Sequence, residues 1–144
     1  MAMSMSWPSV ILLATAQECS SITARIRSYG VRRDPLTDGD VLDWKGYSHS
    51  LDFSGRVLDD FEPEEIEEIS RRIGEPFAIY LSCESMDAAR GFLGEVLVGF
   101  SGLIDTNHGD VVEFSDFVRL IENHPQWDWR RAKVSDLLDR SGEE

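Results

Sequence analysis

Cysteine, positive charge and long apolar runs are all scarce in this sequence, and each scarcity disfavours a class of protein. The two cysteines, Cys19 and Cys83, fall in apolar-patterned segments, so both are predicted to be buried free thiols rather than parts of a disulfide framework. The apolar run at residues 10–14 is too short for the core of a signal peptide and much too short to span a bilayer. We therefore expect a cytoplasmic protein.

Positive charge is the most informative of these scarcities. Lys and Arg together number 14 against 27 Asp and Glu, which leaves a net charge of -13 at pH 7. Binding to nucleic acid or to an anionic membrane needs a basic surface, so both are disfavoured. A basic protein partner would be attracted, and its association would be accelerated. Acidity that serves only solubility is the alternative that composition leaves open.

The common signatures of catalytic and cofactor sites are also missing. The sequence contains no glycine-rich phosphate loop, Walker pattern or dinucleotide fingerprint. Asp105, His108 and Asp110 resemble a metal-ligand cluster, but their number and spacing suit neither calcium nor zinc. A turn satisfied by the side chains of Asp105 and Asn107 is favoured instead. Cys83 precedes a helix start, yet Arg90 is one position too far for a cysteine phosphatase loop. We expect no catalytic residue, metal or cofactor.

Hydrophobic patterning predicts a single α+β domain over residues 1–144, with residues 1–7 and 141–144 disordered. Strands are predicted at residues 10–15, 47–53, 77–83 and 102–105, and helices at residues 19–29, 62–74, 85–100 and 115–124. Residues 31–46 are irregular, with one possible short strand around Val41, and a weak helix follows residue 131. This order favours a four- to five-stranded, mainly antiparallel or mixed sheet with helices packed mainly on one face. The alternation in residues 47–53 indicates that the other face is partly exposed.

The strongest concentration of charge is the acidic segment, residues 59–68, in which seven of ten residues are acidic and none is basic. A surface for a cationic partner is one interpretation, and an ordinary helix N-terminus that favours carboxylates is the other. Residues 75–116 add eight acidic residues against Arg90 alone, so Asp105, His108 and Asp110 were assigned to the same surface. The candidate partner-binding residues of the segment itself are Asp59, Asp60, Glu62, Glu64, Glu65, Glu67 and Glu68.

Two tryptophans close together complete the candidate partner-binding set. Trp127 and Trp129 flank Asp128 in a polar stretch near the C-terminus. Large aromatic side chains are frequent anchors of protein interfaces, which favours a role in partner binding. The alternative is that this stretch folds back and both rings cover the edge of the core.

Three C-terminal stretches carry a family resemblance: FSGLIDTNHG (100–109), FSDFVRL (114–120) and HPQWDW (124–129). They resemble the C-terminal part of small bacterial proteins whose general type is similar to the immunity proteins of polymorphic and contact-dependent toxin systems. The resemblance implies an acidic α+β inhibitor that docks on a basic nuclease or similar toxin domain and blocks its active site. It supplies no catalytic motif.

Two other functions remain open at this level. One is a small-molecule-binding domain or small enzyme that uses the open sheet face near His49 and Asp52, which requires a deep pocket and an ionisable residue of perturbed pKa. The other is a homodimer that buries the same face.

Overall fold

The computed structural model describes the backbone of residues 7–142 and the side chains of residues 7–138. In this range the chain forms one seven-stranded sheet, five α-helices and one 3-10 helix. The elements are β1 (Ser9–Ala14), α1 (Ala16–Arg27), β2 (Val31–Arg33), β3 (Asp40–Trp44), β4 (Tyr47–Asp52), the 3-10 helix (Arg56–Asp60), α2 (Pro63–Ile73), β5 (Phe77–Cys83), α3 (Met86–Val96), β6 (Leu103–Asp105), β7 (Val111–Glu113), α4 (Phe114–Asn123) and α5 (Val134–Gly142). The predicted α+β class is confirmed.

The predicted number of strands was too low. The sheet has the order β2-β3-β4-β5-β1-β6-β7, and its paired strands are antiparallel. Residues 31–46 supply β2 and β3, and β7 follows the turn after β6. β2 and β7 are three residues long, so their own sequences are too short to show a period, and their neighbours determine the pairing.

The two faces of the sheet are covered to very different extents. On one, which we call the covered face, strand residues such as Leu12, Ile79 and Leu81 pack with the apolar sides of α1, α3 and α4 in the main core. On the other, the half-open face, Ile11 and Leu13 pack in a smaller cluster with α2 and the 3-10 helix. The alternation of side chains along each strand divides the residues between these faces.

Helix boundaries follow local capping chemistry. The Ser85 hydroxyl accepts a hydrogen bond from Ala88 N at 3.1 Å, which confirms its predicted role as the N-cap of α3. Ser115 does not cap α4 as predicted, because that helix begins at Phe114 directly after β7. Each cap satisfies backbone groups that a helix end would otherwise leave unpaired.

The ends of the chain were expected to be disordered, and residues 1–6 and 143–144 lie outside the described residues. Trp7 leads through Pro8 into β1, and α5 continues through Gly142. Among residues 7–142, none of the helices combines the length and the hydrophobicity that crossing a bilayer requires.

Candidate functional site

The acidic segment is held on the half-open face by the apolar side of α2. Ile69 is 4% exposed and packs with Ile11, Leu13 and Ala78 beneath it. Glu62 and Glu65 form a reciprocal capping box, with Glu62 N donating to Glu65 Oε1 at 2.8 Å. Because the apolar side faces the sheet, the seven carboxylates of the segment lie in exposed residues: Asp59, Asp60, Glu62, Glu64, Glu65, Glu67 and Glu68.

A groove of about 350 Å³ lies between this segment and the sheet. Three carboxylates line it, and they come from different parts of the sequence: Asp60, Glu65 and Asp105. Its other lining residues are Ile11, Val57, Phe61, Tyr80 and Asn107, so no basic residue lines the groove in the described part of the chain. We call this feature the acidic groove. It brings Asp105 to the surface formed by the acidic segment, as the sequence predicted.

Asp105 is a half-buried carboxyl of the groove. It ends β6 on the half-open face, and its Oδ1 accepts a hydrogen bond from Asn107 N at 2.8 Å. Burial raises its pKa above the ordinary value, and the nearby Glu65 and Asp110 carboxylates raise it further. A cation placed in the groove would relieve both effects, because it would compensate the lost solvation and the like-charge repulsion.

The other two residues of the predicted cluster have different positions. Asp110 uses a carboxylate oxygen to accept from Val134 N at 2.8 Å, so it connects the β6–β7 turn to the start of α5. His108 is exposed in the same turn and does not line the acidic groove. Within the described residues, no group of three or more His, Cys, Asp or Glu could hold a metal ion. The predicted turn is present in so far as Asp105 accepts from Asn107 N, but the Asn107 side chain bonds Ser9 and not the turn.

Trp127 and Trp129 belong to the core, which corrects their interpretation as surface anchors. They are 3% and 1% exposed and pack against Phe117, with ring centroids 5.6 and 5.4 Å away. Trp127 Nε1 also donates to Ala132 O at 2.7 Å. The C-terminal stretch thus folds back over α4, and neither ring is available to a partner.

His49 and Asp52 lie on opposite faces of β4, so they cannot form one pocket. His49 is fully buried on the covered face, with the rings of Trp44 and Phe92 centred 6.1 and 5.3 Å away. The Ser48 backbone approaches the imidazole without completing a hydrogen bond of ordinary geometry. Burial lowers the His49 pKa, against the opposing effect of Glu84. The expected open face exists, but it carries Asp52 and not His49.

Both cysteines are free and buried, as predicted. Burial raises the pKa of Cys83 to about 12 and that of Cys19 to about 11, so both thiols stay protonated near neutral pH. A protonated, buried thiol is a poor nucleophile. This supports the interpretation of Cys83 as a core residue.

Sequence reasoning missed a polar floor on the half-open face beside the groove. Ser82 of β5 is paired with Ser9 of β1 on one side and Ser50 of β4 on the other, which forms a row across three strands. Ser50 is exposed, and Ser9 and Ser82 are half-buried. Alternation in β5 could have revealed that Tyr80 and Ser82 point away from Ile79, but the row itself depends on a strand register that no local pattern specifies.

Compared with known protein families, curated proteins and solved structures, the chain matches none.

Proposed function

We propose that this chain is a non-catalytic binding protein that docks on a basic protein partner and neutralises it. The observation that carries the proposal is the acidic groove, in which Asp60, Glu65 and Asp105 meet between the acidic segment and the sheet. These carboxylates come from two distant parts of the sequence, so their proximity is a property of the fold. The partner is attracted by the net charge of -13 and is then held where carboxylates are densest.

The composition of the groove favours a basic side chain over other cations. Phe61 and Tyr80 contribute aromatic surface next to the carboxylates. Aromatic rings and carboxylates together suit an organic cation such as guanidinium, whereas a divalent metal needs oxygen ligands converging on one point. Phosphate-bearing ligands and anionic lipids would be repelled.

The type of partner follows from the resemblance described for residues 100–129. An immunity protein inhibits a toxin domain inside the cell that produces it, and we propose this role for the chain in the cytoplasm. A basic nuclease or similar domain holds its polyanionic substrate with Lys and Arg. An acidic surface that covers those residues competes directly with the substrate, which explains inhibition without catalysis.

The experiment pairs the chain with the product of the gene next to its own, which we expect to contain a basic domain. This domain is expressed alone and together with the chain, and growth, complex affinity and association rate are measured at several salt concentrations. We expect the domain to be toxic alone and co-expression to restore growth. The double variant Asp60→Lys with Glu64→Lys should slow association by about tenfold at low salt and flatten the salt dependence.

The matched control is Asp116→Lys with Glu122→Lys on α4. Both residues are exposed, and the change in net charge is the same, but the helix lies against the covered face. An unchanged salt dependence in the Asp60 and Glu64 variant would refute the proposal that the acidic segment and the acidic groove bind the partner. Equal slowing in both variants would show that only total charge matters.

A further inference from the structure

The half-open face contains two adjacent rows of side chains that extend from the acidic groove across the sheet. The first row is Asp105, Ile11, Tyr80 and Asp52, from β6, β1, β5 and β4, with a carboxylate at each end. The second row is Ser9, Ser82 and Ser50, followed by the buried Val41 of β3 and by Arg32 of β2, whose guanidinium pairs with Asp43 at 2.8 Å. Neighbouring strands are about 4.8 Å apart, so each row is a continuous strip across the sheet.

A hydrogen bond joins the rows to the groove. Asn107 lines the groove, and its side-chain amide donates to the Ser9 hydroxyl at 2.9 Å. This contact places Ser9, the first residue of the serine row, next to the groove. Helix α2 packs over Ile11 and Leu13 in the smaller cluster of this face.

The chemistry of the surface specifies its occupant. Serine hydroxyls donate and accept hydrogen bonds and leave room for a visiting backbone, because their side chains are short. Asp52 remains ionised, since hydrogen bonds from Ser54 lower its pKa. The guanidinium of arginine bonds carboxylates in a fork and stacks on aromatic faces such as Tyr80, whereas lysine offers only a compact charge.

We propose that the serine row and the adjoining acidic groove form one docking surface, and that a partner places a basic segment on it with an arginine side chain in the groove. The inference rests on the proposed function and specifies its surface and its contact. A second copy of this chain is a poor occupant, because docking there would bring two acidic segments together at a net charge of -13 each.

The test uses two short capped peptides of equal length, one containing arginines and the other lysines at the same positions. Each is titrated into the isotope-labelled full chain at low salt, and amide chemical shifts are followed by nuclear magnetic resonance. We expect the arginine peptide to shift the amides of Ser9, Ser50, Ser82 and Asn107. We expect the lysine peptide to bind about tenfold more weakly.

One matched pair of variants tests the serine row separately from the charge of the acidic groove. Ser50→Tyr adds bulk at an exposed strand position that tolerates aromatic residues, and Ser20→Tyr adds the same bulk on exposed α1, behind the covered face. Ser50→Tyr should weaken the arginine peptide by about tenfold, and Ser20→Tyr should leave its affinity within about twofold. Unchanged spectra elsewhere would show that both variants fold.

Each other result overturns a definite part of the proposal. If Ser50→Tyr has no effect but Asp60→Lys with Glu64→Lys abolishes binding, the docking surface is wrong and the acidic binding function stands. If neither variant changes binding, both the docking surface and the acidic binding function are refuted. Equal affinity for the two peptides refutes the arginine assignment. Concentration-dependent dimerisation that Ser50→Tyr abolishes would make a second copy the occupant.

Discussion

The two faces of this sheet differ in how much of the core they bury, and the acidic segment lies on the less covered one. On the covered face, the main core contains the largest of the fully buried side chains described, among them Phe92, Phe114 and Trp129. On the half-open face, α2 and the 3-10 helix cover only part of the strands and pack a small cluster around Ile69. The seven exposed carboxylates of the acidic segment lie on this second face, where only the smaller cluster is buried.

The difference shows how an acidic surface can be tolerated. Like charges repel, and residues 59–68 concentrate seven of them. The repulsion is weakened because these side chains are exposed and because Glu64 and Glu65 lie at the positive end of the α2 dipole. Glu68 and Glu67 also pair with Arg71 at 3.3 and 3.8 Å. These interactions stabilise α2, and its carboxylates remain exposed at the surface.

The largest test of the comparison is to remove one phenylalanine from each face. Phe92 is 0% exposed and contacts the rings of Tyr29, Trp44 and His49, so Phe92→Ala should lower the free energy of unfolding by about 3–5 kcal/mol. Phe61 is half-buried, and Phe61→Ala should cost about 1 kcal/mol. Denaturant unfolding measures both. Equal losses would show that the half-open face contributes to stability as strongly as the covered one.

The sequence predicted most of what depends on local pattern. The apolar stripe of α2, the Ser85 cap and the buried strand β5 were all readable from spacing and capping residues. β2 and β7 were not, because three residues carry no period and their pairing is determined by neighbours distant in sequence.

The candidate site divides in the same way. Asp60 and Glu65 stood out as part of a charge run, and Asp105 was added from a second acidic region, so the three groove carboxylates were predicted. For Trp127 the sequence left an interface contact and a fold-back over the core open, because polar neighbours do not determine exposure, and its burial against α4 confirms the fold-back. The serine row was missed because only the register brings Ser9, Ser50 and Ser82 together.

A second test uses pH to probe the covered face alone. Burial lowers the pKa of His49 below the value of about 6.5 that an unfolded imidazole has. Between those two values the unfolded chain binds more protons than the folded one, so stability falls as the pH drops below about 6.5 and stops falling at the folded-state pKa. His49→Leu should remove this loss, at about 1.4 kcal/mol for each unit between the two pKa values.

Unfolding is measured between about pH 7.5 and about pH 5, above the range in which most carboxylates titrate. Comparing His49→Leu with the parent chain cancels the contribution of other groups, including Asp105, whose pKa is raised. The control is His108→Gln, which removes an exposed imidazole, so an equal change of slope in this variant would show that the effect is not specific to the buried site. If His49→Leu retains the full slope, the acid sensitivity comes from another group and the covered face does not contain the pH-sensitive element.

The smallest expected change in stability is at Asp105, because its carboxylate adds negative charge to the acidic groove while burial disfavours its ionised form. Its raised pKa means that the folded chain favours the protonated acid, so stability falls as the pH rises from the unfolded value of about 3.9 through the folded one. Asp105→Asn keeps the oxygen that accepts from Asn107 N and should raise stability at pH 7 by less than about 1 kcal/mol, with no gain below about pH 4.

Asp105→Asn should also weaken binding of the arginine peptide. Asp60→Asn, exposed in the same groove, should weaken the peptide without stabilising the fold. A loss of stability in Asp105→Asn at pH 7 would mean that this carboxylate supports the fold, and the conflict between charge and stability would disappear.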